Sequence, residues 1–466
     1  MNRHVNLKIA AAVTAALASG ASFAAGPSIA TINSTPAANT INIMGSSAIK
    51  VALSNSILTN FCGGAGNATV VTSNGNNTNF LGIACTPAAT VSNTGNYNVW
   101  IRYEGGSVSG FLPIVNPGNP INEIDGPSLT ANPITINGSS SANGTDDSFT
   151  VAAGGALSRH VPDLGIGDVE PKALVGNNYP IDYSTGVWGN QNQAGLFGLG
   201  SSGIIDEVYA LYVNENSSLF SENPLNLSQQ TIAAILTHQV TNWSQVYDIN
   251  NNAVVSGPLA INIVNREYGS GSRAATDILL VGDGCGSGGN PTTLFTKTGA
   301  QRFFSTGDVL KAANTLPGSI TYATIDNTQK VSPQANMVWV QINGVAPSNL
   351  AAAQGNYPFW VEAQYVNNAG NTGADTAAVK AIISGLQSVS TTASLADIDA
   401  IPNITNATGT PTHFNTTVHL NPSLTATVPS GGGTNSDGTS STVYVNPFTR
   451  NGVTCNNPVN SVTNIP

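Results

Sequence analysis

The stretch Leu259-Ala-Ile-Asn-Ile-Val-Asn-Arg-Glu-Tyr-Gly-Ser-Gly-Ser272 decides the fold. Its first six residues predict a strand, and the apolar spacing from Ser272 to Leu280 predicts a helix. A Gly/Ser turn joins the two. Because a strand followed by a turn and a helix is the repeating unit of α/β layers, this stretch predicts an α/β fold with largely parallel strands.

The same order of strand, Gly/Ser turn and helix start occurs at Gly45-Ser46-Ser47 and at Gly105-Gly106-Ser107-Val108-Ser109-Gly110. Backbone N–H groups are unpaired at a helix start, glycine admits a ligand close to the backbone, and serine adds a hydroxyl donor. One such turn alone is more typical of an ordinary helix cap. Three in one chain predict an anion site at the strand ends.

Apolar blocks alternate between strand-like and helix-like spacing along most of the chain. Ser228 is the predicted N-cap of one helix. Two Asn/Gly-rich or Pro/Gly-rich stretches, 62–96 and 113–160, are predicted surface insertions, and residues from about 408 are predicted to be irregular. The strands are predicted at 40–44, 97–103, 163–168, 207–213, 259–264 and 318–323, and the helices at 46–61, 228–236, 272–280 and 376–386.

Two charged residues lie beside these turns. Arg266 precedes the third turn, and its planar guanidinium suits a phosphate-like oxyanion, although a surface ion pair with Glu267 explains it equally well. Asp168 ends a predicted buried strand. An ionised Asp only accepts hydrogen bonds, so in an anion site it would favour an oxyanion that carries a proton. Taken alone, Asp168 is more typical of a turn or cap.

The first 24 residues predict a cleaved secretory signal. Arg3 and Lys8 precede an apolar run from Ile9 to Leu17, and Ser22-Phe-Ala24 supplies small residues where a signal peptidase cleaves. The cleavage region holds no Cys for a lipid anchor, and no later apolar run reaches membrane-spanning length. We therefore expect a periplasmic protein, with the cell exterior as the close alternative.

Composition narrows the function classes. Charged residues make up 8% of the chain, against about 25% in ordinary domains, so Asn, Ser, Thr and Gly carry the polar surface. The net charge is −10, and a nucleic-acid partner would require a basic footprint that is missing.

Four cysteines, Cys62, Cys85, Cys285 and Cys455, allow three disulfide pairings in an oxidising compartment. We favour Cys62–Cys85 and Cys285–Cys455, because the first pair brackets one Asn/Gly-rich insertion. The cysteines lack the close spacing of zinc sites, and neither a metal nor a cofactor is expected.

Six short motifs in the same order resemble those of phosphate-binding proteins of ABC-type uptake systems, the PstS-like branch of type 2 periplasmic binding proteins. The resemblance covers residues 40 to about 390. The motifs are Ile43-Met-Gly-Ser-Ser47, Tyr103-Glu-Gly-Gly-Ser-Val-Ser-Gly110, Asp163-Leu-Gly-Ile-Gly-Asp168, Val240-Thr-Asn-Trp243, Arg266-Glu-Tyr-Gly-Ser-Gly-Ser272 and Pro317-Gly-Ser-Ile-Thr-Tyr322.

This resemblance implies a two-lobed α/β fold with mixed sheets and a hinge, in which residues 25–208 and 331–466 form lobe 1 and residues 209–330 form lobe 2. It implies binding of phosphate or a similar oxyanion in the cleft, with membrane components of an ABC transporter as partners. The anion would be bound by Ser46, Ser47, Ser107, Asp168, Arg266, Ser270, Gly271 and Ser272.

The sequence departs from the family pattern at two of these turns. Val108 replaces the middle Gly of the second turn, and Ser272 replaces a Thr. The two insertions and the extension past about residue 390 are also not expected of the ordinary transport component.

Two other functions compete with anion binding. A secreted or cell-surface structural protein that reuses the fold would account for the neutral Asn/Thr/Gly-rich surface. A hydrolase is disfavoured, because no Gly-x-Ser-x-Gly motif occurs and the histidines have no metal-like spacing. His238 is expected near a helix end, and His413 and His419 in solvent. We therefore predict a binding protein rather than an enzyme.

Overall fold

A computed structural model of the chain describes most residues between 26 and 387 and short segments beyond. The predicted signal, Cys285, His413 and His419 lie outside the described residues and keep their status as predictions. The described ranges are 26–75, 79–118, 120–136, 157–179, 193–221, 224–282, 301–325, 336–348, 351–352, 355–368, 376–387, 400–402, 425–426, 443–444 and 448–460.

The architecture is mixed α/β, as the sequence predicts. The strands are β1 (Thr40–Gly45), β2 (Ala68–Gly75), β3 (Phe80–Cys85), β4 (Tyr97–Arg102), β5 (Ile121–Ile124), β6 (Ile134–Ile136), β7 (Leu157–His160), β8 (Leu164–Gly167), β9 (Ser202–Asn214), β10 (Asn226–Leu227), β11 (Asn262–Arg266), β12 (Gln301–Phe303), β13 (Ser319–Thr324), β14 (Met337–Trp339), β15 (Gln341–Ile342), β16 (Trp360–Asn367), β17 (Ala400–Pro402), β18 (Thr425–Ala426), β19 (Val443–Tyr444), β20 (Phe448–Thr449) and β21 (Val459–Asn460).

Eight α-helices accompany these strands in the described part of the chain. They are α1 (Ile29–Asn33), α2 (Lys50–Ser56), α3 (Ser107–Val115), α4 (Gln193–Gly198), α5 (Gln229–Leu236), α6 (Gly271–Thr276), α7 (Thr306–Asn314) and α8 (Thr376–Gln387). Helix α2 continues as a π-helical turn, Ile57–Phe61, and α6 continues as another, Asp277–Val281. Among the described residues, no helix is both long and apolar enough to cross a membrane.

One large mixed sheet organises the molecule, in the order β12-β11-β13-β9-β16-β8-β1-β4-β3-β2-β6. We call β8, β1, β4, β3, β2 and β6 its first half, and β13, β11, β12 and β14 its second half. Strands β9 and β16 run between the halves. Strand β9 pairs with β16 as far as Val208 and with β13 from Tyr209 onward, and β14 also pairs with its distal end. The lobe limits given above stay a prediction.

Parallel pairing aligns the strand ends that carry the predicted turns. Strand β1 lies parallel to β4 and β8 in the first half, and β11 lies parallel to β12 and β13 in the second. The turns after β1, β4 and β11 and the loop after β8 therefore lie at carboxyl ends of parallel strands, where open α/β sheets bind ligands.

Apolar side chains fix the helices on the sheet. In the first half, buried residues of α2 and α8, including Leu53 and Ile382, pack with Ile43 of β1. In the second half, Val309 and Leu310 of α7 are buried in a smaller core with β9 and β11. These helices present an apolar face at helical spacing, as an amphipathic helix on a sheet must.

The prediction of a surface loop over 62–96 was wrong. Strands β2 and β3 form an antiparallel pair within the main sheet, and every residue of β3 is buried. Because β2 contains several polar residues, its sequence did not indicate a strand. Phe80, Leu81 and Ile83 of β3 supply the apolar contacts of the pair. The second predicted insertion, 113–160, likewise contains β5, β6 and β7.

One strand and one helix begin later than predicted. The predicted strand 259–264 begins at Asn262, because residues 259–261 pair with the segment around Trp243: the Leu259 carbonyl accepts from Trp243 N at 2.8 Å, and Ile261 N donates to Thr241 O at 3.0 Å. The helix predicted from Ser46 begins at Lys50, after a turn through Ser46 and Ser47.

The Cys62–Cys85 disulfide is confirmed. The two Cα atoms are 5.7 Å apart, and the bond ties the residue after the first π-helical turn to the end of β3. Cys455 is also disulfide-bonded. Since Cys285 lies outside the described residues, its pairing with Cys455 stays a prediction.

Candidate anion-binding site

The second and third Gly/Ser turns meet between the two halves of the sheet. Ser107 is the first residue of α3, and Gly271 is the first residue of α6. Ser107 Oγ accepts from Gly271 N at 3.2 Å and from Asp168 N at 3.0 Å. The backbone also crosses, because Val108 N donates to Gly269 O at 2.9 Å. These bonds join the turn after β4, the loop after β8 and the turn after β11.

Glycine is required at this junction for two reasons. Gly106 has a φ of 69°, a left-handed conformation that favours glycine. A Cβ on Gly271 would lie 2.4 Å from Ser107 Oγ and 2.8 Å from Asp168 Cβ. The Gly271 backbone therefore lies closer to the Ser107 and Asp168 side chains than a residue with a Cβ would permit.

Ser272 links the two charged residues of the site. Its hydroxyl donates to Asp168 Oδ2 at 3.0 Å and accepts from Arg266 Nη1 at 3.2 Å. Asp168 is 1% exposed and Arg266 is 2% exposed. The opposite charges are thus coupled through one hydroxyl, with no direct ion pair between them in the described part of the chain.

The remaining guanidinium bonds of Arg266 go to the start of α7. Nη1 donates to Thr306 Oγ1 at 2.8 Å, and Nη2 donates to the Phe304 carbonyl at 2.8 Å. Ser47 also reaches this point, with its Oγ 3.4 Å from Thr306 Oγ1. The ion pair of Arg266 with Glu267 considered above does not form among the described residues, because Glu267 faces Arg302, at 3.3 Å.

Two polar atoms of this cluster have no partner among the described residues. They are Asp168 Oδ1, a hydrogen-bond acceptor, and Arg266 Nε, a donor, and both are buried. Buried polar atoms of folded proteins are nearly always satisfied by protein, water or ligand. This cluster therefore retains one acceptor and one donor for a further group.

Tyr209 lies against the same cluster from β9. Its hydroxyl is 3.4 Å from Ser272 Oγ and donates to Glu207 Oε2 at 3.2 Å. Burial, reinforced by the carboxylates of Asp168 and Glu207, raises the pKa of Tyr209 well above its ordinary value. The phenol is therefore neutral and keeps its proton as a hydrogen-bond donor.

The structure brings together six of the eight predicted residues. Hydrogen bonds join Ser107, Asp168, Arg266, Gly271 and Ser272, and Ser47 joins them through Thr306. The other two use their side chains locally. Ser46 Oγ accepts from Ala48 N at 3.0 Å, and Ser270 Oγ caps α6 through Arg273 N at 3.4 Å.

Thr306 and Tyr209 were not among the predicted site residues. Thr306 follows β12 in Phe304-Ser-Thr-Gly307, which repeats the order of strand, Ser/Thr/Gly turn and helix start used to find the other turns. That signal was available. Tyr209 lies within a continuous strand, and no local pattern distinguishes it from a core residue.

No cluster of three or more His, Cys, Asp or Glu side chains that could hold a metal ion occurs in the described ranges. His238 directly follows the region where α5 ends, as expected, and has a φ of 57°.

One family model matches part of the chain. Residues 208–384 match the family model of the PBP superfamily domain. The match includes Arg266, Ser270, Gly271, Ser272 and Thr306 and covers less than half of the chain. The matched segment thus contains the arginine and the third turn, whereas Ser107 and Asp168 precede it. No curated protein matches the chain.

Several solved structures are similar to the chain at low identity. A Clostridium perfringens protein solved with bound phosphate has 15% identity and a TM-score of 0.42, over 75% of this chain and 94% of that one. An ABC-type phosphate transport receptor from Vibrio cholerae has 15% identity and a TM-score of 0.38, over 75% of this chain and 94% of the receptor. PstS from Borrelia burgdorferi has 14% identity and a TM-score of 0.34, over 75% of this chain and 93% of PstS.

Proposed function

We propose that the protein is an exported solute-binding protein that captures phosphate, or a similar oxyanion carrying a proton, between the two halves of the sheet. The unpaired Asp168 Oδ1 and Arg266 Nε within one buried cluster carry this proposal. An oxyanion with one proton offers both a donor for the carboxylate and acceptors for the guanidinium. A fully deprotonated oxyanion has no proton to donate, so Asp168 could accept no hydrogen bond from it.

The neighbouring groups fit the same ligand. The hydroxyls of Ser107, Ser272 and Thr306 and the Gly271 N–H surround the two charged residues. Hydrogen bonds to a charged group contribute roughly 1.5–3 kcal/mol each, so a few of them give useful affinity without a positive net charge. The Arg266 and Asp168 charges offset one another, which leaves the bonding geometry to select the ligand.

Capture requires the two halves to separate first. Ser107 Oγ contacts Gly271 N, and Ser272 Oγ contacts Asp168, so direct bonds cross the space that the anion would occupy. We infer that these bonds close the protein between ligands and that the anion replaces them. Strands β9 and β16, which run between the halves, are the hinge in this proposal.

The proposed setting is the periplasm of a bacterium, where the loaded protein would pass its anion to the membrane components of an ABC transporter. The cell exterior is the alternative location. Both follow from the predicted signal and from the resemblance to transport proteins, and both are tested by fractionating cells that express the full chain.

One observation favours a second function, that of a secreted structural or adhesive protein. The polar groups at the junction already bond to one another across the halves. In such a protein the same residues would hold the two halves together permanently, and no ligand would replace those bonds.

Calorimetric titration of the mature protein with phosphate, arsenate and sulfate separates the two functions. We expect saturable heat with phosphate and arsenate, weak or no heat with sulfate, and loss of phosphate binding in Arg266→Ala. Arg159→Ala is the matched control, because Arg159 is exposed on β7. Absence of heat with every oxyanion would exclude solute capture and favour the structural function.

A further inference from the structure

The segment 450–456, within the predicted irregular C-terminal extension, packs on the middle of the molecule. Arg450 is 5% exposed and Thr454 is 4% exposed. Both carboxylate oxygens of Glu362 on β16 accept backbone bonds from this segment, Oε1 from Arg450 N and Oε2 from Gly452 N, each at 2.6 Å. The segment is therefore anchored on a strand that runs between the halves.

Thr454 binds a second buried carboxylate. Glu170 Oε2 accepts from the Thr454 hydroxyl at 2.6 Å and from Thr454 N at 3.0 Å. Glu170 is 4% exposed and lies two residues after Asp168, directly before the short helical turn Pro171–Leu174. The C-terminal segment is thus bonded to the loop that carries the acceptor of the proposed anion site.

Arg450 supplies the charge that this arrangement needs. Asp206 and Glu362 face each other across the β9–β16 pair, and both are buried. Buried like charges are costly without a nearby cation. The Arg450 guanidinium lies 4.8 Å from the centre of the Trp360 ring and donates to the Asn456 carbonyl at 2.7 Å and the Pro358 carbonyl at 3.3 Å.

Burial and the neighbouring carboxylates have opposite effects on the pKa of Arg450. Burial lowers the pKa of Arg450 to about 10, and the carboxylates of Glu362, Asp206 and Glu170 oppose that decrease. The guanidinium therefore stays charged at neutral pH. Its position links β9, β16 and the Asp168 loop in one buried network.

We propose that segment 450–456 is a positioning element for the anion site, in which Thr454 fixes Glu170 and thereby the loop that carries Asp168. The part of this inference that concerns affinity rests on the proposed anion binding. The part that concerns the loop does not. Thr454 acts through Glu170 and is not itself a ligand residue.

Thr454→Val tests the inference with the smallest structural change. Valine keeps the volume of threonine and removes only the hydroxyl that binds Glu170. Thr454→Ser restores the hydroxyl. Thr315→Val is the matched control, because Thr315 is exposed and its hydroxyl bonds only within its own turn, to Ala312 O.

We expect Thr454→Val to weaken phosphate binding in calorimetry by roughly 2- to 30-fold, the range of coupling carried by residues outside a binding site. Thr454→Ser should bind within about twofold of wild type. Hydrogen exchange of peptides covering residues 163–171 should be roughly tenfold faster in the Val variant, since a hydrogen bond to a charged group is lost. The control should match wild type in both measurements.

The outcomes separate this inference from the proposed function. If wild type binds no oxyanion, the proposed function fails, and hydrogen exchange alone decides whether Thr454 positions the loop. If wild type binds phosphate and Thr454→Val has wild-type affinity and exchange, the positioning role is overturned. If Val and Ser weaken binding equally, the hydroxyl is not the cause and the inference also fails.

Discussion

Ser272 donates a hydrogen bond of 3.0 Å to Asp168, and these two residues come from opposite halves of the sheet. Ser272 lies in the first turn of α6, after β11, whereas Asp168 follows β8. The bond therefore has to break whenever the halves separate. The same hydroxyl also accepts from Arg266, so a substitution that removes the hydroxyl leaves two buried charged groups each short of a partner.

We expect Ser272→Ala to lower the free energy of unfolding by roughly 1–3 kcal/mol, the cost of leaving buried polar groups without a partner. Urea unfolding measures the change. Ser244→Ala is the control, because Ser244 is exposed, and it should fall within about 0.5 kcal/mol of wild type. Equal destabilisation by both variants would show that the Ser272 hydroxyl does not stabilise the junction.

Gly271→Ala should prevent the two halves from closing. The added Cβ would lie 2.4 Å from Ser107 Oγ and 2.8 Å from Asp168 Cβ, so the halves must remain apart. We expect phosphate affinity to fall roughly tenfold or more, since overpacking costs about 1–3 kcal/mol. Calorimetry measures the affinity, and small-angle scattering should detect a larger radius of gyration.

Gly307→Ala is the matched control for that change. A Cβ on Gly307 would meet no atom within 4 Å, and the residue lies in the first turn of α7 next to Thr306. We expect unchanged affinity. A Gly271→Ala variant that binds phosphate as tightly as Gly307→Ala would mean that the halves do not need to approach closely.

Asp168→Asn should relax the choice between oxyanions. An amide offers a donor as well as an acceptor, so a fully deprotonated anion is no longer rejected. We expect the ratio of sulfate to phosphate affinity to rise roughly tenfold, the value of one charge-assisted hydrogen bond. Competition titrations measure the ratio, with Asp308→Asn on α7 as control. An unchanged ratio would assign the selectivity to other residues.

Glu123 should make stability depend on pH. Its side chain is fully buried on β5, and burial raises its pKa from 4.5 to about 8, although Ile124 N and Arg102 oppose the shift. Between these values the folded state holds a proton that the unfolded state has lost. The free energy of unfolding therefore decreases as pH rises through this window, by at most about 1.4 kcal/mol per pH unit.

Glu123→Gln should remove this contribution, because the amide does not ionise. Urea unfolding of both proteins at pH 5 and pH 8 measures the effect. We expect the variant to lose less stability over that interval than wild type does. Parallel decreases in the two proteins would exclude Glu123 as the titrating group.

Local sequence patterns predicted the elements whose hydrophobic spacing is regular. The helix over 376–386 and the strand over 207–213 are both present, and Ser228 caps its helix through Thr231 N at 3.0 Å. The β2–β3 pair was missed because strand pairing, rather than local spacing, orders its Thr- and Asn-rich part. Local propensity is weak where neighbouring strands decide the conformation.

In the candidate site, too, local sequence patterns predicted some residues and not others. Arg266, Asp168 and the Gly/Ser turns have local signals, and the structure places them together. The bonding of Glu170 to Thr454 joins residues 284 positions apart, in a part of the chain whose composition predicts no regular structure. Contacts between residues so far apart in the sequence depend on the completed fold, and local composition does not indicate them.

The chain has only 14 basic and 24 acidic residues, and 16 of these side chains are buried within the described ranges, Asp168, Glu170 and Arg450 among them. The exposed part of the described ranges therefore carries few charged side chains among its amides and hydroxyls. Ionic strength acts on exposed charges far more than on buried ones, since dissolved ions screen only what they can approach. We therefore expect the interactions among these buried charges to change little between low and high salt concentration.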